Sequence, residues 1–365
     1  MPYDMTLEIS SSVKSSGNES LNKAFNLKKD EFYTRYEDVE KEILHYQDYL
    51  EGKVVFCNCD NPFESAFFRF FVDNFTKLKL KKLVSSCRVE PSLLASGENA
   101  RGLKAIVTAV PAGTPARPTS PSDIEALLTM PGNSLTPLVG DGDFRSAECE
   151  MLLREADVVA TNPPFSLFRE YIRQLDIHGK KFIVLGNMNA VTTREIFPLF
   201  RDNRVWYGKS IRSGDRSFHV PDSYPLSASG CGIDEAGRRF IRVKGVRWFT
   251  NIDLRERTER LELTRLYHPK EYPAYENYDA IDVSRTKHIP VDYSGLMGVP
   301  ITFLDKYNPD QFEIVMLANG NVRSNVSIST LKEVNYRPHP DDKGGVGILN
   351  GRRVYARIIV RRKQP

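Results

Sequence analysis

Apolar and polar positions alternate along residues 50–207 in a way that predicts strands separated by helices. Short apolar runs of strand length are "KVVFC", "KKLVSSC", "TPLVG", "ADVVA", "KKFIVLG" and "RVWYG". Apolar residues at helical spacing occur in "EDVEKEILHYQDYL" (37–50), "ESAFFRFFVDNF", "SLFREYIRQL" and "TTREIFPLF", and a short helix is predicted between "TPLVG" and "ADVVA". Because the two patterns take turns, we predict an α/β fold with a mostly parallel, doubly wound sheet.

Two segments depart from this alternation. Residues 1–27 are rich in Ser, Asn and Lys without apolar periodicity, and we predict that they form a mobile N-terminal tail. Residues 91–135 are rich in Pro, Ser, Gly and Ala and contain one strand-like piece, "LKAIVTAV", so we interpret them as an insertion rather than a domain. The domain built on this sheet is expected to occupy residues 28–204, and residues 205–365 are expected to form a second region.

Composition narrows the class of protein. Of the 365 residues, 41% are hydrophobic and 27% are charged, as in soluble globular proteins. No apolar run reaches membrane-spanning length and the N-terminus lacks the apolar core of a signal peptide, so we expect a cytoplasmic protein without membrane contact. The cysteines form no CxxC pair and the histidines no HxxxH pair. Neither a disulfide framework nor a metal site is therefore expected.

Positive charge is concentrated in two stretches, although the formal net charge is only +4. Residues 201–247 contain ten Lys or Arg against five acids, and aromatic side chains are interleaved with these charges. The tail "GRRVYARIIVRRKQP" adds six positive charges and no acid. Such a surface is typical of proteins that contact nucleic-acid phosphates, and it also fits a solvated charged face on a β-rich lobe. Composition alone leaves both interpretations open.

Polar side chains follow the predicted strands at their carboxyl ends, which is the edge where doubly wound sheets bind ligands. The stretches concerned are "CNCDNPF", "CRVE", "GDGDFRS" and "TNPPF", and "DEFYT" (30–34) leads into the unit. Glu90 is placed to bind a ribose diol, as in nucleotide-binding α/β folds. The carboxylate of Asp143 is suited to accept a hydrogen bond from the amino group of an adenine, with the ring of Phe144 against its face.

Asn162, Pro163, Pro164 and Phe165 form a stiff corner between a strand and a helix. Two prolines in a row leave main-chain carbonyls without competing N–H groups. An exocyclic amine on a planar base is a poor nucleophile because its lone pair is delocalised into the ring. The side-chain oxygen of Asn162 and the Pro163 carbonyl, directed at its N–H bonds, would favour the tetrahedral geometry that attacks, and Phe165 offers a stacking face. A base in duplex DNA must be flipped out to arrive there. The alternative is a simple turn.

A strand, Asn-Pro-Pro-Phe and a helix together resemble the signature of DNA methyltransferases that methylate amino groups with S-adenosylmethionine. The order "DEFYT", first strand, "GDGDF", "TNPPF" and basic lobe is similar to their gamma-type arrangement. More specifically, the chain resembles the EcoRI-type adenine-N6 DNA methyltransferases over residues 28–318 and the last strand, "RVYARIIVRRK". The segments that carry this resemblance are "DEFYT", "VVFCNCDNP", "GDGDFRS", "VVATNPPFSLF", "NYDAI" and "GLMGVPITFLDKYNPDQFE". Like that family, the chain has "CNCDNPF" where methyltransferases at large have a Gly-rich loop.

The resemblance implies roles for individual residues. The implied catalytic residues are Asn162, Pro163, Pro164 and Phe165. The implied cofactor-binding residues are Tyr33, Thr34, Asp60, Glu90, Asp143 and Phe144. Of these, Asp143 and Phe144 would hold the adenine of the cofactor, Thr34 beside Tyr33 the methionine end, and Glu90 the ribose, while Asp60 lies where the loop after the first strand approaches the cofactor. As an alternative, Asp143, Asp60 and Thr34 are each placed to cap a following helix.

The resemblance also implies an architecture and an activity. A Rossmann-like catalytic domain that binds S-adenosylmethionine would occupy residues 28–204. A basic DNA target-recognition lobe would occupy residues 205–365, with a terminal strand returning to the body. The expected DNA contacts, chosen by charge and neighbourhood, are Arg204, Arg212, Arg216, Arg239 and Lys244. We expect a monomer that methylates double-stranded DNA at a GAATTC-like site, within or derived from a restriction–modification system, without a stable complex with a cognate endonuclease.

Two other functions compete with this one. A methyltransferase for RNA or protein glutamine commonly ends the same motif in Tyr, whereas this chain has Phe165 and a large basic C-terminal region. A non-catalytic DNA-binding relic would be expected to lose Asn162 or Asp143, and both are present. We therefore favour a DNA adenine methyltransferase.

Overall fold

The computed structural model describes residues 32–88, 102–111, 119–222, 224, 226 and 230–363. The expected N-terminal tail and Glu90 lie outside these residues, so their predictions are not taken further. The helices are α1 Tyr36–Ile43, α2 Gln47–Leu50, α3 Ala66–Asp73, α4 Pro121–Leu128, α5 Ala147–Glu155, α6 Phe168–Ile177, α7 Phe197–Arg201, α8 Val322–Asn325 and α9 Ile328–Glu333.

Strands account for most of the remaining regular structure. They are β1 Val54–Asn58, β2 Lys82–Cys87, β3 Leu103–Val107, β4 Ser134–Pro137, β5 Val158–Thr161, β6 Lys181–Asn187, β7 Trp206–Tyr207, β8 Asp215–His219, β9 Gly232–Ile233, β10 Arg239–Lys244, β11 Val246–Thr250, β12 Ala280–Asp282, β13 Leu296–Pro300, β14 Phe312–Ala318, β15 Ile348–Leu349, β16 Arg352–Arg353 and β17 Arg357–Arg362.

An eight-stranded sheet in the order β4-β3-β2-β1-β5-β6-β11-β7 forms the centre of the molecule. Its four middle strands pair in parallel, whereas β3 and β4 on one side and β11 and β7 on the other pair antiparallel. Following these pairings, only β3 and β11 oppose the direction of the other six described strands. The prediction of an α/β fold with a large, mostly parallel sheet is therefore confirmed.

Apolar side chains cover both faces of this sheet, because successive residues of a strand point to opposite sides. In β1, Val55 and Cys57 join a core that includes residues of α1, α3 and α4. Val54 and Phe56 join a second core that includes residues of α5, α6 and α7. Helices thus lie on both faces, which is the doubly wound arrangement.

The sheet is larger than the sequence indicated, on both sides. The predicted insertion contributes β3 and β4, which extend the sheet beyond β2. On the other side, β7 corresponds to the predicted strand "RVWYG", and β11 adds a further strand beyond residue 207, where the predicted alternation ends. The apolar runs of β3 and β11 gave no sign in the sequence of the sheet that they join.

Two smaller sheets complete the described fold. The small sheet, β8-β10-β9, packs its Phe218 and Ile241 into the core around α1 and α3. The C-terminal sheet, β12-β13-β17-β14, packs on the opposite side, where Met297 and Val360 share a core with α6 and α7. The terminal strand β17 pairs with β13 and β14 rather than with the eight-stranded sheet.

Within the described ranges, no helix is both long and apolar enough to span a membrane. The five cysteines are free thiols. No group of three or more metal-ligating side chains occurs among the same residues.

Candidate active site

The parallel strands end together at one edge of the eight-stranded sheet, here called the carboxyl edge. The strand order reverses between β1 and β5, because β2 lies on one side of β1 while β5 and β6 lie on the other. Such a reversal opens a crevice at the strand ends, where ligands bind in doubly wound sheets. β1 and β5 pair at Val55 with Val158 and at Phe56 with Val159. Towards the carboxyl ends of the two strands, side chains join them instead.

The "GDGDFRS" loop is drawn to the same edge by a close approach of two backbones. Gly142 has a φ of +84°, and a Cβ at this position would collide with the main-chain carbonyl of Cys87, the last residue of β2. A glycine is therefore required where this loop crosses the end of β2. The prediction that these loops share one edge is confirmed by the sheet topology.

Asn162, directly after β5, points its side chain at the "DEFYT" segment. Its Nδ2 donates a hydrogen bond of 2.6 Å to the main-chain carbonyl of Phe32. A carbonyl only accepts, so this contact fixes which way the amide faces. The other end of the amide, Oδ1, is buried and receives no hydrogen bond from the described residues. A buried acceptor without a donor costs folding free energy, and a bound ligand with an N–H bond would relieve that cost.

Phe165 closes the other side of the corner within a cluster of aromatic rings. Its ring lies edge-on to Phe32 with centroids 5.6 Å apart and to Phe218 of the small sheet at 6.2 Å. Phe32 in turn contacts Phe218 at 5.9 Å. Phe165 itself is only partly buried. The Asn-Pro-Pro-Phe corner is thus held against the small sheet by rings from three separate parts of the chain.

Tyr33 and Thr34 lie between the catalytic corner and the small sheet. The main chain of Tyr33 exchanges two hydrogen bonds with that of His219 in β8, at 2.9 and 3.0 Å. The hydroxyl of Thr34 is buried without a hydrogen-bond partner among the described residues. The capping alternative for Thr34 is wrong, because Arg35 occupies the N-cap position of α1. Thr34 therefore supplies a second buried polar atom that no described group satisfies.

Asp60 spans the crevice between β1 and β5. Its Oδ1 accepts a hydrogen bond of 2.6 Å from the hydroxyl of Ser65, which is the N-cap of α3. Its Oδ2 lies 2.6 Å from the hydroxyl of Thr161 at the end of β5. The capping alternative for Asp60 is wrong as well, since Ser65 performs that function and Asp60 binds the cap. Both carboxyl oxygens are thus occupied, and the residue is only 8% exposed.

The hydrogen-bond count at Thr161 is satisfied in full when Asp60 carries a proton. The Thr161 hydroxyl contacts both Oδ2 of Asp60 and the main-chain carbonyl of Asn58, yet it carries a single hydrogen. The carbonyl can only accept, so both contacts are satisfied when Thr161 donates to Asn58 and a protonated Asp60 donates to Thr161. Burial raises the pKa of Asp60 to about 7, which agrees with a neutral acid below that pH.

Asp143 is held in the ionised form by its neighbour Arg145. The guanidinium donates from Nε to Oδ1 at 2.8 Å and from Nη2 to Oδ2 at 2.6 Å. Chiefly through this hydrogen bond, Arg145 lowers the pKa of Asp143 below its usual value. Ser146, not Asp143, caps α5. Oδ1 also accepts from the main-chain N–H of Arg145 at 2.9 Å, whereas Oδ2 retains a second lone pair, so Asp143 can still accept a hydrogen bond from a ligand.

Phe144 lies beneath this ion pair. Its ring is 3% exposed, meets the edge of Tyr171 with centroids 5.1 Å apart, and has the Arg145 guanidinium 5.2 Å from its centroid. These contacts leave little of the ring open to a further partner. Its predicted contact with the cofactor stays a prediction.

Comparison with known proteins identifies the chemistry of this edge. Residues 20–363 match the family model described as "Adenine-specific methyltransferase EcoRI". The chain belongs to this family. It is 42% identical over 320 residues to the type II methyltransferase M.EcoRI of Escherichia coli. The aligned region covers 87% of this chain and 94% of that protein. It is 36% identical over 351 residues to M.MpnI of Mycoplasma pneumoniae, covering 94% and 98%. No solved structure matches the chain.

Membership of the EcoRI family makes the chain an adenine-specific DNA methyltransferase whose methyl donor is S-adenosylmethionine, as predicted. The described residues fit this donor. Two buried atoms, Oγ1 of Thr34 and Oδ1 of Asn162, lack partners in the crevice region, and Asp143 presents an ionised acceptor at the same edge. A zwitterionic cofactor that carries an adenine has donors for Thr34 and Asp143, and Oδ1 of Asn162 is left for a different N–H group.

The five basic residues predicted to contact DNA lie in different parts of the structure. Arg204 precedes β7 at the edge opposite to Asn162 and forms an ion pair with Asp176. Arg212 and Lys244 are exposed. Arg216 and Arg239 alternate with Phe218 and Ile241 on the face of the small sheet that turns inward, and the Nε of each is buried without a partner among the described residues. The structure thus brings four of the five to the small sheet and its entry.

Sequence reasoning missed Glu42, a buried acid that positions this basic region. Its carboxylate accepts main-chain hydrogen bonds from Lys209 at 3.0 Å and Ser210 at 2.7 Å, and a hydroxyl bond from Tyr46 at 2.7 Å. A Cβ on Gly208 would collide with this carboxylate, so the approach depends on glycine. The available signal was an acid between Val39 and Tyr46, on the apolar side of α1. Sequence analysis also missed Arg145 as the partner of Asp143. The two residues lie two positions apart in a loop, where contacts follow no periodic pattern.

Proposed function

We propose that this enzyme methylates the exocyclic amine of a flipped adenine, with Asn162 as the acceptor that orients the amine, at a DNA site related to GAATTC. The observation that carries the proposal is the fixed amide of Asn162. Phe32 holds Nδ2, and the opposite end of the amide remains a buried acceptor without a donor. The geometry of a hydrogen-bonding site for an N–H group therefore exists before any base is bound.

The residues of the chain supply positioning and the cofactor supplies the reactive group. When bound, S-adenosylmethionine carries a methyl group on a positively charged sulfur, which makes that carbon electrophilic. Oδ1 of Asn162 accepts one N–H of the target amine and draws its lone pair out of conjugation with the ring. The nitrogen would form its new bond to the methyl carbon with that pair while the methyl–sulfur bond breaks and leaves its electrons on sulfur, and the nitrogen would then lose one of its protons to solvent. No base is needed before the attack, because the proton leaves from a nitrogen that has become cationic.

Other residues of the carboxyl edge hold these partners in place. We assign the Thr34 hydroxyl and the carboxylate of Asp143 to polar groups of the cofactor, and the partly exposed ring of Phe165 to the face of the adenine. We assign Asp60 a positioning function, since both of its oxygens are engaged by Ser65 and Thr161. It joins the end of β1 to the residue immediately before Asn162.

The small sheet is the part of the recognition region best placed to contact DNA near the flipped base. Phe218 lies against Phe165, and Arg216 lies on the same face of the sheet. On the opposite face, Arg242 and Lys244 are exposed. We propose that Arg216, Arg242 and Lys244 contact phosphates while other residues of 205–290 read bases. We further propose that the enzyme acts as a monomer.

One experiment tests the substrate and the site together. The protein is expressed in a host that lacks adenine methylation, and modified adenines are mapped by single-molecule sequencing of the host DNA. The expected result is N6-methyladenine confined to one short sequence, with the inner adenine of GAATTC as the first candidate. An Asn162→Ala variant expressed at the same level should leave that sequence unmodified. Methylated RNA or protein together with unmodified DNA would contradict the proposal.

A further inference from the structure

A cleft lies at the carboxyl edge on the far side of Asn162 from the "GDGDFRS" loop. Its volume is about 520 Å³. Met188, which follows β6, and Gly245, which precedes β11, form its inner rim. Because the edge runs from β2 through β1 and β5 to β6 and β11, the catalytic corner lies between the predicted cofactor residues and this cleft.

The walls of the cleft come from two separated parts of the recognition region. One wall is the segment before β8, with Arg212 and Ser213. The other is the 3₁₀ helix Ile301–Lys306, which contributes Thr302 and Lys306. This helix lies at the centre of the segment "GLMGVPITFLDKYNPDQFE", which resembles the EcoRI-type family. None of the residues assigned to methyl transfer lies in this segment.

A buried ion pair fixes the two walls relative to each other. Arg247 of β11 donates from Nε to Asp305 at 2.8 Å, and the two side chains are only 4% and 9% exposed. The Nη2 of Arg247 also donates to the main-chain carbonyl of Arg212 at 2.7 Å. One guanidinium therefore ties the main sheet to both walls, and its own charge is neutralised by Asp305.

Besides the Arg247–Asp305 pair, the cleft lining carries two cations, Arg212 and Lys306, and one exposed carboxylate, Asp215, so the charge left there is positive. Arg212 and Lys306 are exposed, and within the described residues neither has a carboxylate at ion-pair distance. Exposed hydroxyls of Ser213 and Thr302 lie in the same lining. Cations beside hydroxyl donors are the usual contacts of a nucleic-acid backbone phosphate.

We propose that this cleft binds a backbone phosphate of the duplex next to the flipped adenine, with Lys306 and Arg212 as its cations and Thr302 and Ser213 as hydroxyl donors. The inference rests on the proposed function and deepens it. The cofactor residues occupy the edge on one side of Asn162, so the duplex from which the base swings out lies over the other side. A phosphate bound in the cleft lies on the other side of Asn162 from the methyl donor. It anchors the strand while the base is flipped out of the duplex.

The test compares Lys306→Ala with Lys77→Ala. Lys77 is an exposed lysine between α3 and β2, at the opposite edge of the sheet, and serves as the matched control. Affinity for a duplex with the methylated site and for a scrambled duplex is measured by fluorescence anisotropy over a series of KCl concentrations. Cofactor affinity is measured by calorimetry and folding by thermal unfolding. Lys306→Arg tests whether the charge is sufficient.

Lys306→Ala should weaken binding of both duplexes several-fold and by the same factor. The slope of log affinity against log salt should become shallower by about one unit, because one phosphate fewer is neutralised. Lys306→Arg and Lys77→Ala should behave as the wild type, and cofactor affinity should not change. Unchanged DNA binding by Lys306→Ala, or a loss restricted to the specific duplex, overturns the phosphate site. Either result leaves the proposed function intact if the wild type still methylates DNA, whereas a wild type that does not methylate DNA refutes the function itself.

Discussion

The side-chain amide of Asn162 donates a hydrogen bond of 2.6 Å to the main-chain carbonyl of Phe32, a residue 130 positions earlier in the chain. This contact does more than join two segments. It uses up the donor end of the amide and presents the acceptor end to the crevice. The Asn-Pro-Pro-Phe motif is therefore oriented by a segment of the chain that lies before the first strand of the sheet.

Asn162→Ala tests the acceptor function. We expect methyl transfer to fall on the order of a hundred- to a thousandfold, as when one oriented hydrogen-bonding group is lost from a closed active site. Cofactor affinity should change little, and loss of the bond to Phe32 should reduce the free energy of unfolding by about 1 kcal/mol. Single-turnover methylation and calorimetry provide the two measurements.

Asn251→Ala is the matched control for that variant. The amide of Asn251 also bonds main-chain groups, donating to Lys180 at 2.8 Å and accepting from Phe182 at 2.9 Å, but it lies at the opposite edge of the sheet. Its loss should cost stability without affecting the methyl-transfer step. If the two variants lose transfer rate equally, Asn162 acts only through folding.

Thr34→Val tests whether the unpartnered hydroxyl of Thr34 is a cofactor ligand. Valine keeps the shape of threonine and removes a buried polar group that has no partner among the described residues, so stability should be unchanged or increased. Cofactor affinity should fall by about tenfold, the equivalent of one hydrogen bond. Thr34→Ser, which retains the hydroxyl, should bind normally. Normal affinity in the valine variant would leave this hydroxyl without a ligand function.

Asp60→Asn tests the protonated state of Asp60 through the pH dependence of stability. A carboxyl with a folded-state pKa of about 7 and an ordinary unfolded pKa holds its proton more tightly in the folded protein. Its stabilising contribution is complete below about pH 4 and is lost as the pH rises through 7, at up to about 1.4 kcal/mol per pH unit. Asparagine can accept from Ser65 and donate to Thr161, so it mimics the neutral acid.

The measurement is urea unfolding of wild type and Asp60→Asn at several pH values. The free energy of unfolding of the variant should decline less between pH 4 and 7 than that of the wild type. At higher pH the variant should be the more stable of the two. Parallel pH profiles would show that Asp60 is ionised throughout and that Thr161 donates to it instead.

Arg212→Ala and Arg204→Ala test the position of the DNA interface. Arg212 is exposed at the entry to the small sheet, whereas Arg204 is paired with Asp176 at the opposite edge. Only Arg212→Ala should weaken binding of matched and scrambled duplexes alike and reduce the salt slope by about one unit. Equal effects of the two substitutions would mean that DNA does not approach from the carboxyl edge.

The class of fold, the family and the position of the Asn-Pro-Pro-Phe motif could be read from the sequence alone. Strand and helix periods are local, and apolar runs such as "KVVFC" and "ADVVA" predict buried strands wherever they pair. The order of the loops that follow them then places Asp60, Asp143 and Asn162 at one edge, because parallel strands end together. The family resemblance lies in contiguous segments, so it too could be read without a structure.

Which partners these residues have depends on how distant segments pack. Asp60 contacts a hydroxyl 101 positions away, which itself contacts the main-chain carbonyl of Asn58, and no local pattern contains that set of contacts. Arg204 and Arg212 have the same charge and lie eight positions apart, yet strand β7 between them carries the chain from one edge of the sheet to the other. Charge and spacing are properties of the chain, whereas burial and hydrogen-bond partners arise when distant segments pack together.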